Sequence, residues 1–392
     1  MSLVRMAAIA YVVAGAVWWI FNLTVVLLCR RKVRFVKDFD DSAPPQWPRV
    51  SLIIPARNEE DGIEAAVQTR LKDEYPDMEA ILVDDRSTDT TGAIIDTLAS
   101  KDPRVTPVHV TKLPPDWLGK QHAMQVGLER STGEWVLFTD ADVHVVPGCL
   151  RKAIAHSVAN NLDVLAVIPE LRSKTFLLDA VIAQFVRTIV IMIRGWDFEN
   201  PRTRSGAGSG SFTLVRRTAL DRSPGLQWLR LELGDDLALG QMLKASGAHC
   251  SLAMGRGTVD VLFYPTLRAM AQATERAGFT TIGHFSMAYI VPLIVLYGGL
   301  ELSPYVALLF WRMPILQVAG VALLMVAQAT CIMLTTWWGG GVLPAMAQPV
   351  GALMNGVLML RAGLLGTFRG GVYWRGTFYP TSLLRKGRRV RF

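Results

Sequence analysis

The pattern of apolar and polar positions divides the 392-residue chain into three stretches. From Met6 to Cys29 the residues are uncharged and mostly apolar, a run long enough to cross a bilayer as one helix. Only Arg5 precedes it and no small-residue cleavage site follows, so it reads as a retained anchor rather than a signal peptide. From Arg49 to about Thr258 the pattern changes to short β runs separated by helical stretches. Val50–Ile54, Ala80–Val83, Trp135–Phe138 and Val164–Val167 read as strands, and Asp61–Leu71 and Thr91–Ala99 as helices. Strands that are apolar throughout and alternate with helices predict a mostly parallel sheet covered on both faces, an α/β fold.

After Gly278 the chain turns apolar again, with spans expected at Phe285 to about Leu300, Ile315–Thr335 and Val342 to about Leu365. Three C-terminal spans would put the basic tail outside; two spans plus a re-entrant or interfacial segment would keep it inside, as its charge prefers. Thr175–Arg194 is very apolar yet holds Asp179, Gln184, Arg187 and Arg194, which fits a buried helix of the α/β domain or a helix lying in the membrane interface. The expected division is an anchor (1–30), a basic, proline-containing linker (31–48), an α/β domain (49–278), C-terminal transmembrane or interfacial helices (279–366) and a basic tail (367–392).

Composition sharpens this picture in two ways. Hydrophobic residues make up 51% of the chain while charged residues still reach 19%, a mixture that joins a water-exposed domain to membrane segments. The net charge of +8 sits largely beside apolar runs, in Arg30, Arg31, Lys32, Arg34 and Lys37 and in Arg385, Lys386, Arg388, Arg389 and Arg391. That placement suits a membrane surface and the cytoplasmic side of an inner membrane, and no nucleic-acid motif accompanies it. The four cysteines are scattered and signal neither a zinc site nor a disulfide framework.

The candidate chemistry lies just past the strand ends, where open α/β sheets bind ligands. Pro55-Ala56-Arg57-Asn58-Glu59 follows the first strand, and Asp84-Asp85-Arg86-Ser87-Thr88-Asp89 follows the second. Adjacent aspartates at a buried strand end can accept hydrogen bonds from a base or ribose, while Ser87 or Asp89 caps the next helix. Asp140-Ala141-Asp142 follows the third strand; carboxylates at i and i+2 can share a divalent cation that neutralises a diphosphate. His144 stands two residues further on, within reach of such a cation or in a structural role. Ser205-Gly206-Ala207-Gly208-Ser209-Gly210-Ser211, preceded by Arg204, has the small residues that bring backbone N–H groups close to phosphate or sugar oxygens. Gly234-Asp235-Asp236 precedes the helical pattern Leu237–Ala245.

Taken together in this order, with Trp117-Leu118-Gly119-Lys120 between the second and third, these motifs resemble the family-two glycosyltransferases of the GT-A fold over residues 49 to 258. The resemblance implies that Pro55, Ala56, Asn58 and Glu59 line the nucleotide pocket and that Asp85 meets the nucleobase, usually uracil. It implies a donor role for Lys120, whose charge would compensate phosphate, and for Asp140, and metal ligation by Asp142 with Asp140. The Gly208–Ser209 loop is expected at donor or acceptor. Asp236 matches the catalytic base; the family form is E-D where this chain has Asp235-Asp236, which leaves open which aspartate acts. The expected reaction is inverting transfer of a single sugar from a nucleotide-diphospho-sugar, a UDP-hexose with Mg2+ or Mn2+, to a membrane lipid hydroxyl.

Processive members carry Q-x-x-R-W, whereas the corresponding region here is Gln272–Gly278 without that spacing or tryptophan. A polymer synthase is thus the second reading and a catalytically silent scaffold the third. Near the C-terminus Trp374-Arg375-Gly376-Thr377-Phe378-Tyr379 is similar to the W-K-G-R-x-Y segment of hopanoid-, carotenoid- and ceramide-type lipid-modifying members, with departures at Arg375 and Thr377.

Overall fold

The computed structural model describes residues 3–203 and 205–391. Arg204, at the head of the glycine-rich loop, lies outside the described residues. The chain forms two compact units, each assembled from three separate segments.

The α/β unit comprises Val33–Leu171, Ile193–Phe263 and Tyr373–Phe392. Its main sheet has eight strands: β1 (Arg34–Phe35), β2 (Val50–Ala56), β3 (Met78–Asp85), β4 (Val105–Val110), β5 (Trp135–Phe138), β6 (Val164–Ile168), β7 (Thr213–Arg216) and β8 (Cys250–Met254). Their order is β1-β8-β6-β7-β5-β2-β3-β4. β7 runs antiparallel to β5 and β6, and the other pairings are parallel. The expected mostly parallel sheet is therefore present.

β2 is buried at every position, which is why its sequence shows no polar alternation. Leu52 and Ile54 join one core with Leu82, Leu137 and Leu165. On the other side of the sheet Ile81 and Val83 pack with Ala123 of the helix Gly119–Arg130. Gly127 lets that helix settle onto the sheet, since a Cβ there would lie 2.6 Å from Ile53 Cγ2. Because β2, β3 and β5 are parallel neighbours, their polar carboxyl-end loops converge at one edge.

The helical unit comprises Met1–Lys32, Arg172–Met192 and Tyr264–Val372. Among the described residues, four helices are long and apolar enough to cross a membrane: Leu3–Lys32, Phe176–Asp197 counted with its short extension, Pro314–Trp338 and Gln348–Arg369. The span expected at Phe285–Leu300 is the 15-residue helix Met287–Glu301, bent by 102° from the preceding Leu267–Ile282. The apolar run from Val342 is interrupted at Ala347, where Pro349 begins the longer helix Gln348–Arg369. Thr175–Arg194, left open between two readings, supplies Phe176–Met192 to the helical unit instead of the α/β core.

Many outward side chains of this unit are apolar, including Val13, Val17, Ile315, Val318 and Phe368. Its polar groups are inside. Arg187 is ion-paired with Glu301, and Arg187 Nη1 donates to Asn22 Oδ1 at 3.1 Å. Gln348 and Trp18 donate to the Glu301 carboxylate at 2.8 and 2.9 Å. An apolar exterior around a buried, hydrogen-bonded ion pair suits a helical unit in lipid.

Candidate active site

The edge built by β2, β3 and β5 is held together by side chains of its own loops. Asn58 adopts a left-handed conformation (φ 55). Its side-chain oxygen accepts from Thr88 N at 2.8 Å, and its N–H donates to Ser87 Oγ at 3.1 Å. Asn58 thus ties the first loop to the second. The two aspartates at the end of β3 separate in role. Asp84 Oδ1 accepts from Ser87 N at 3.0 Å and Asp84 Oδ2 faces His109 Nδ1 at 3.2 Å. Asp85 is fully buried; Arg86 Nε donates to its Oδ1 at 2.8 Å, while Oδ2 has no hydrogen-bond partner among the described residues. A buried, unsatisfied carboxylate oxygen is an available acceptor for a ligand N–H. Gly119 permits this arrangement, because a Cβ there would lie 2.2 Å from Asp85 Oδ2.

Lys120 is the electrostatic hub. Its Nζ lies 2.8 Å from Asp140 Oδ1, 3.2 Å from Asp235 Oδ2 and 3.7 Å from Asp236 Oδ1. Burial opposes its charge, but these three carboxylates outweigh burial and hold the ammonium well above the ordinary lysine value. The geometry therefore joins Asp140 of the D-x-D segment to the Asp235-Asp236 pair, 95 residues later, through one cation.

Neither Asp235 nor Asp236 caps its helix; Gly234 occupies the N-cap position without a side-chain bond. The two aspartates differ in access: the Asp235 side chain is 9% exposed and Asp236 41%. Desolvation and the neighbouring Asp235 raise the Asp236 carboxyl above the usual aspartate range, against the pull of Lys120.

In the glycine-rich loop, expected at donor or acceptor, two backbone donors are engaged within the protein. Gly208 N–H donates to Asp236 O at 2.6 Å and Ser209 N–H to Thr213 Oγ1 at 2.7 Å, so both donors are engaged within the protein. The loop also supplies a backbone hydrogen bond from Gly210 to the Asp236 carboxylate, and room. A Cβ on Gly210 would lie 2.6 Å from Asp140 Oδ2 and 3.0 Å from Asp236 Oδ2. The Gly210 carbonyl also accepts from Asp140 N at 2.8 Å.

Glu59 and Asp142 share a second acidic neighbourhood. Burial first, and then Asp142 and Asp140, push the Glu59 carboxyl up to about 7; Arg375 opposes this, with Nη2 3.9 Å from Glu59 Oε1. Asp142, though exposed, is likewise raised by partial desolvation and by Asp140. Among the described residues no three His, Cys, Asp or Glu side chains converge as a ready-made cation cage. Crowded Asp140 and Asp142 still suit a cation that completes its shell with phosphate oxygens and water, the usual habit of Mg2+. His144 lies in a small three-stranded sheet, opposite Asp260.

Two contributors were not singled out from sequence. Arg70 is 3% exposed and donates to the Asp140 carbonyl. Its signal was legible: Ile63, Ala66, Val67 and Arg70 fall at i, i+3, i+4 and i+7, which sets a cation on a buried helix face. Glu232 had no such signal. Its Oε1 accepts from Gly234 N at 2.8 Å and its Oε2 from Val390 N at 3.1 Å, a partner 158 positions away. The basic tail, expected at the membrane surface, thus has residues 389–391 seated on the α/β unit, where Gln241 and Arg391 also exchange backbone-to-side-chain hydrogen bonds.

Comparison with known proteins agrees with this architecture. Residues 51–223 match the model of glycosyl transferase family 2. The chain is 29% identical over 238 residues to a beta-monoglucosyldiacylglycerol synthase of Synechocystis, covering 57% of this chain and 47% of that protein. It is 32% identical over 111 residues to a bactoprenol glucosyl transferase of Shigella phage SfX, covering 26% of this chain and 35% of that protein. The chain thus spans less than half the length of these curated relatives. Among solved structures it superposes on the mannosyltransferase PcManGT of Pyrobaculum calidifontis, in complex with GDP-Man and Mn2+, with a TM-score of 0.56 and 19% identity, over 93% of this chain and 99% of that one. By the matched segment and by the fold that carries it, residues 51–223 form a glycosyl transferase family 2 domain of the GT-A type.

Proposed function

We propose that the protein is a membrane-bound glycosyltransferase that moves one sugar from a nucleotide-diphospho-sugar to a lipid hydroxyl, with inversion at the anomeric carbon. The observation that carries this reading is the cluster Lys120–Asp140–Asp235–Asp236, in which Asp235 is buried while Asp236, on the helix beside it, stays open to solvent, as does Asp140 of the D-x-D segment. In the proposed step the acceptor hydroxyl gives its proton to Asp236, its oxygen bonds to the anomeric carbon, and the bond from that carbon to the diphosphate breaks. The nucleoside diphosphate leaves. Asp235, buried against Lys120, fixes the ammonium and the helix rather than receiving the proton.

Asp85, with its unsatisfied oxygen, is the group for the nucleobase. Asp140 and Asp142 would hold the divalent cation, Mg2+ or Mn2+, whose chemistry is to neutralise the departing diphosphate. A UDP-hexose remains the proposed donor. A lipid acceptor is supported by the helical unit with its apolar exterior and by the lipid-named relatives.

The decisive experiment is nucleotide release by detergent-purified protein given UDP- and GDP-sugars and membrane lipid extract, beside Asp236→Asn and Asp235→Asn. Asp236→Asn is expected to lower kcat by about 10²–10⁴-fold, the worth of a general base, with donor binding retained. Wild-type turnover should rise with pH through a midpoint above the ordinary aspartate range, because the base works deprotonated and its pKa is raised. Turnover surviving in Asp236→Asn but not in Asp235→Asn would reverse the assignment. Extension of a product into a ladder would favour a polymer synthase, and no turnover or donor binding a silent scaffold.

A further inference from the structure

The segment after the last long helix returns to the donor side of the catalytic cleft. Gly371–Trp374 and Thr377–Pro380 pair as a two-stranded hairpin. The joining residues, Arg375 and Gly376, both have positive φ, 47 and 78. This is the pattern of a type I′ turn, whose first position favours Asn, Asp or Gly. An arginine held there costs on the order of 1 kcal/mol or more. Local turn chemistry therefore does not account for Arg375.

Its surroundings do. The side chain is 24% exposed, Nη2 lies 3.9 Å from Glu59 Oε1, and Nη1 is buried with no hydrogen-bond partner among the described residues. Glu59 in turn lies in the field of Asp140 and Asp142. On the returning strand Tyr379 is 5% exposed, and its hydroxyl meets the Gly119 N–H close to Asp85 and Arg86. The hairpin thus reaches from the nucleobase edge to the D-x-D edge of one pocket. That pocket is rich in carboxylates, and Lys120 is already shared among three of them. Beside the divalent cation proposed for Asp140 and Asp142, a guanidinium suits a diphosphate there, because it meets phosphate oxygens as a fork.

We infer that Arg375 is a ligand of the donor diphosphate. It rests on Glu59 in the free protein and turns its unpartnered Nη1 to phosphate when the donor binds, while Tyr379 anchors the hairpin at the base edge. This rests on the nucleotide-sugar reading above and adds a donor residue carried by the segment that follows the last long helix.

The test is titration of the full-length, detergent-purified protein with UDP and with GDP in the presence of Mg2+, for wild type, Arg375→Asn and Arg375→Lys, with melting temperature measured on each. Asn suits the first position of the turn, so Arg375→Asn is expected to melt at or above wild type while binding nucleoside diphosphate at least tenfold more weakly. Arg375→Lys should fall between. Binding within twofold of wild type in Arg375→Asn overturns the inference alone, as does a loss accompanied by a lower melting temperature, which would mark a structural hairpin. A wild type that binds neither nucleotide overturns both this inference and the donor reading.

Discussion

Gly210 shows how closely the candidate site depends on single atoms. It lies between Asp140 and Asp236, and a methyl group there would press on both carboxylates. Gly210→Ala is expected to fold, yet to lose about tenfold or more in kcat, because small displacements of reacting groups are costly; a kcat near wild type would show that the two carboxylates need not hold these positions. Glu59 gives a pH signature of a different kind. Its carboxyl titrates near 7 in the folded protein against an ordinary 4.5. A raised acid favours the fold while protonated, so its destabilising charge is absent below about pH 4.5 and fully present above pH 7. Glu59→Gln should therefore raise the melting temperature by a few degrees at pH 8 and change it little at pH 4.5, as differential scanning fluorimetry would register. Asp85 and Asp84 make the same point about legibility. Sequence showed two adjacent aspartates, but only the hydrogen bonds to Ser87 and His109 identified Asp84 as the structural partner.

Among the elements, the strands and their loops were readable because burial on both faces leaves an unbroken apolar signature. Helix Phe176–Met192 was not, because an apolar run with embedded polar groups suits several environments. The structure resolves it through Arg187, whose partners Asn22, Gln184 and Glu301 come from three different helices, its own included. Removing one member of a buried ion pair strands the other, at on the order of 3–5 kcal/mol. Glu301→Leu is accordingly expected to lower the melting temperature in detergent sharply, and Arg187→Met added to it should recover part of the loss. A double variant less stable than Glu301→Leu would mean that Arg187 is held mainly by its neutral partners.

For the whole molecule, sheet pairing constrains membrane topology. β6 precedes helix Phe176–Met192 and β7 follows it, and the two strands are adjacent in one sheet. We propose that this helix, despite being apolar and long enough, does not carry the chain to the other side of a membrane, because the strands on either side of it pair in one sheet. Val390 and Arg391 bond to Glu232 and Gln241 of the same unit, so the stretch Tyr264–Val372 must cross an even number of times. In the topology we propose, Pro314–Trp338 and Gln348–Arg369 are the two crossings and the bent pair Leu267–Glu301 is re-entrant. In this proposed topology Val33–Leu171, Ile193–Phe263 and the tail share one side of the membrane. Impermeant thiol labelling of single cysteines at Ser173, Arg202, Val342 and Lys386 tests it. The native cysteines are buried, which keeps background low. Positions 173, 202 and 386 should label from one side and 342 from the other; opposite sidedness of 173 and 202 would refute it.

By itself the sequence determined the α/β class, the order of the strand-end motifs, the long apolar N-terminal helix and the family resemblance, because each is written in local hydrophobicity or in short contiguous motifs. Tertiary structure decided what depends on distant partners: that Lys120 links Asp140 to Asp235 and Asp236, that Arg375 returns to Glu59, and that the basic tail rests on Glu232. The physical reason is that charge pairing acts through space over a few ångströms, whereas sequence records separation only along the chain.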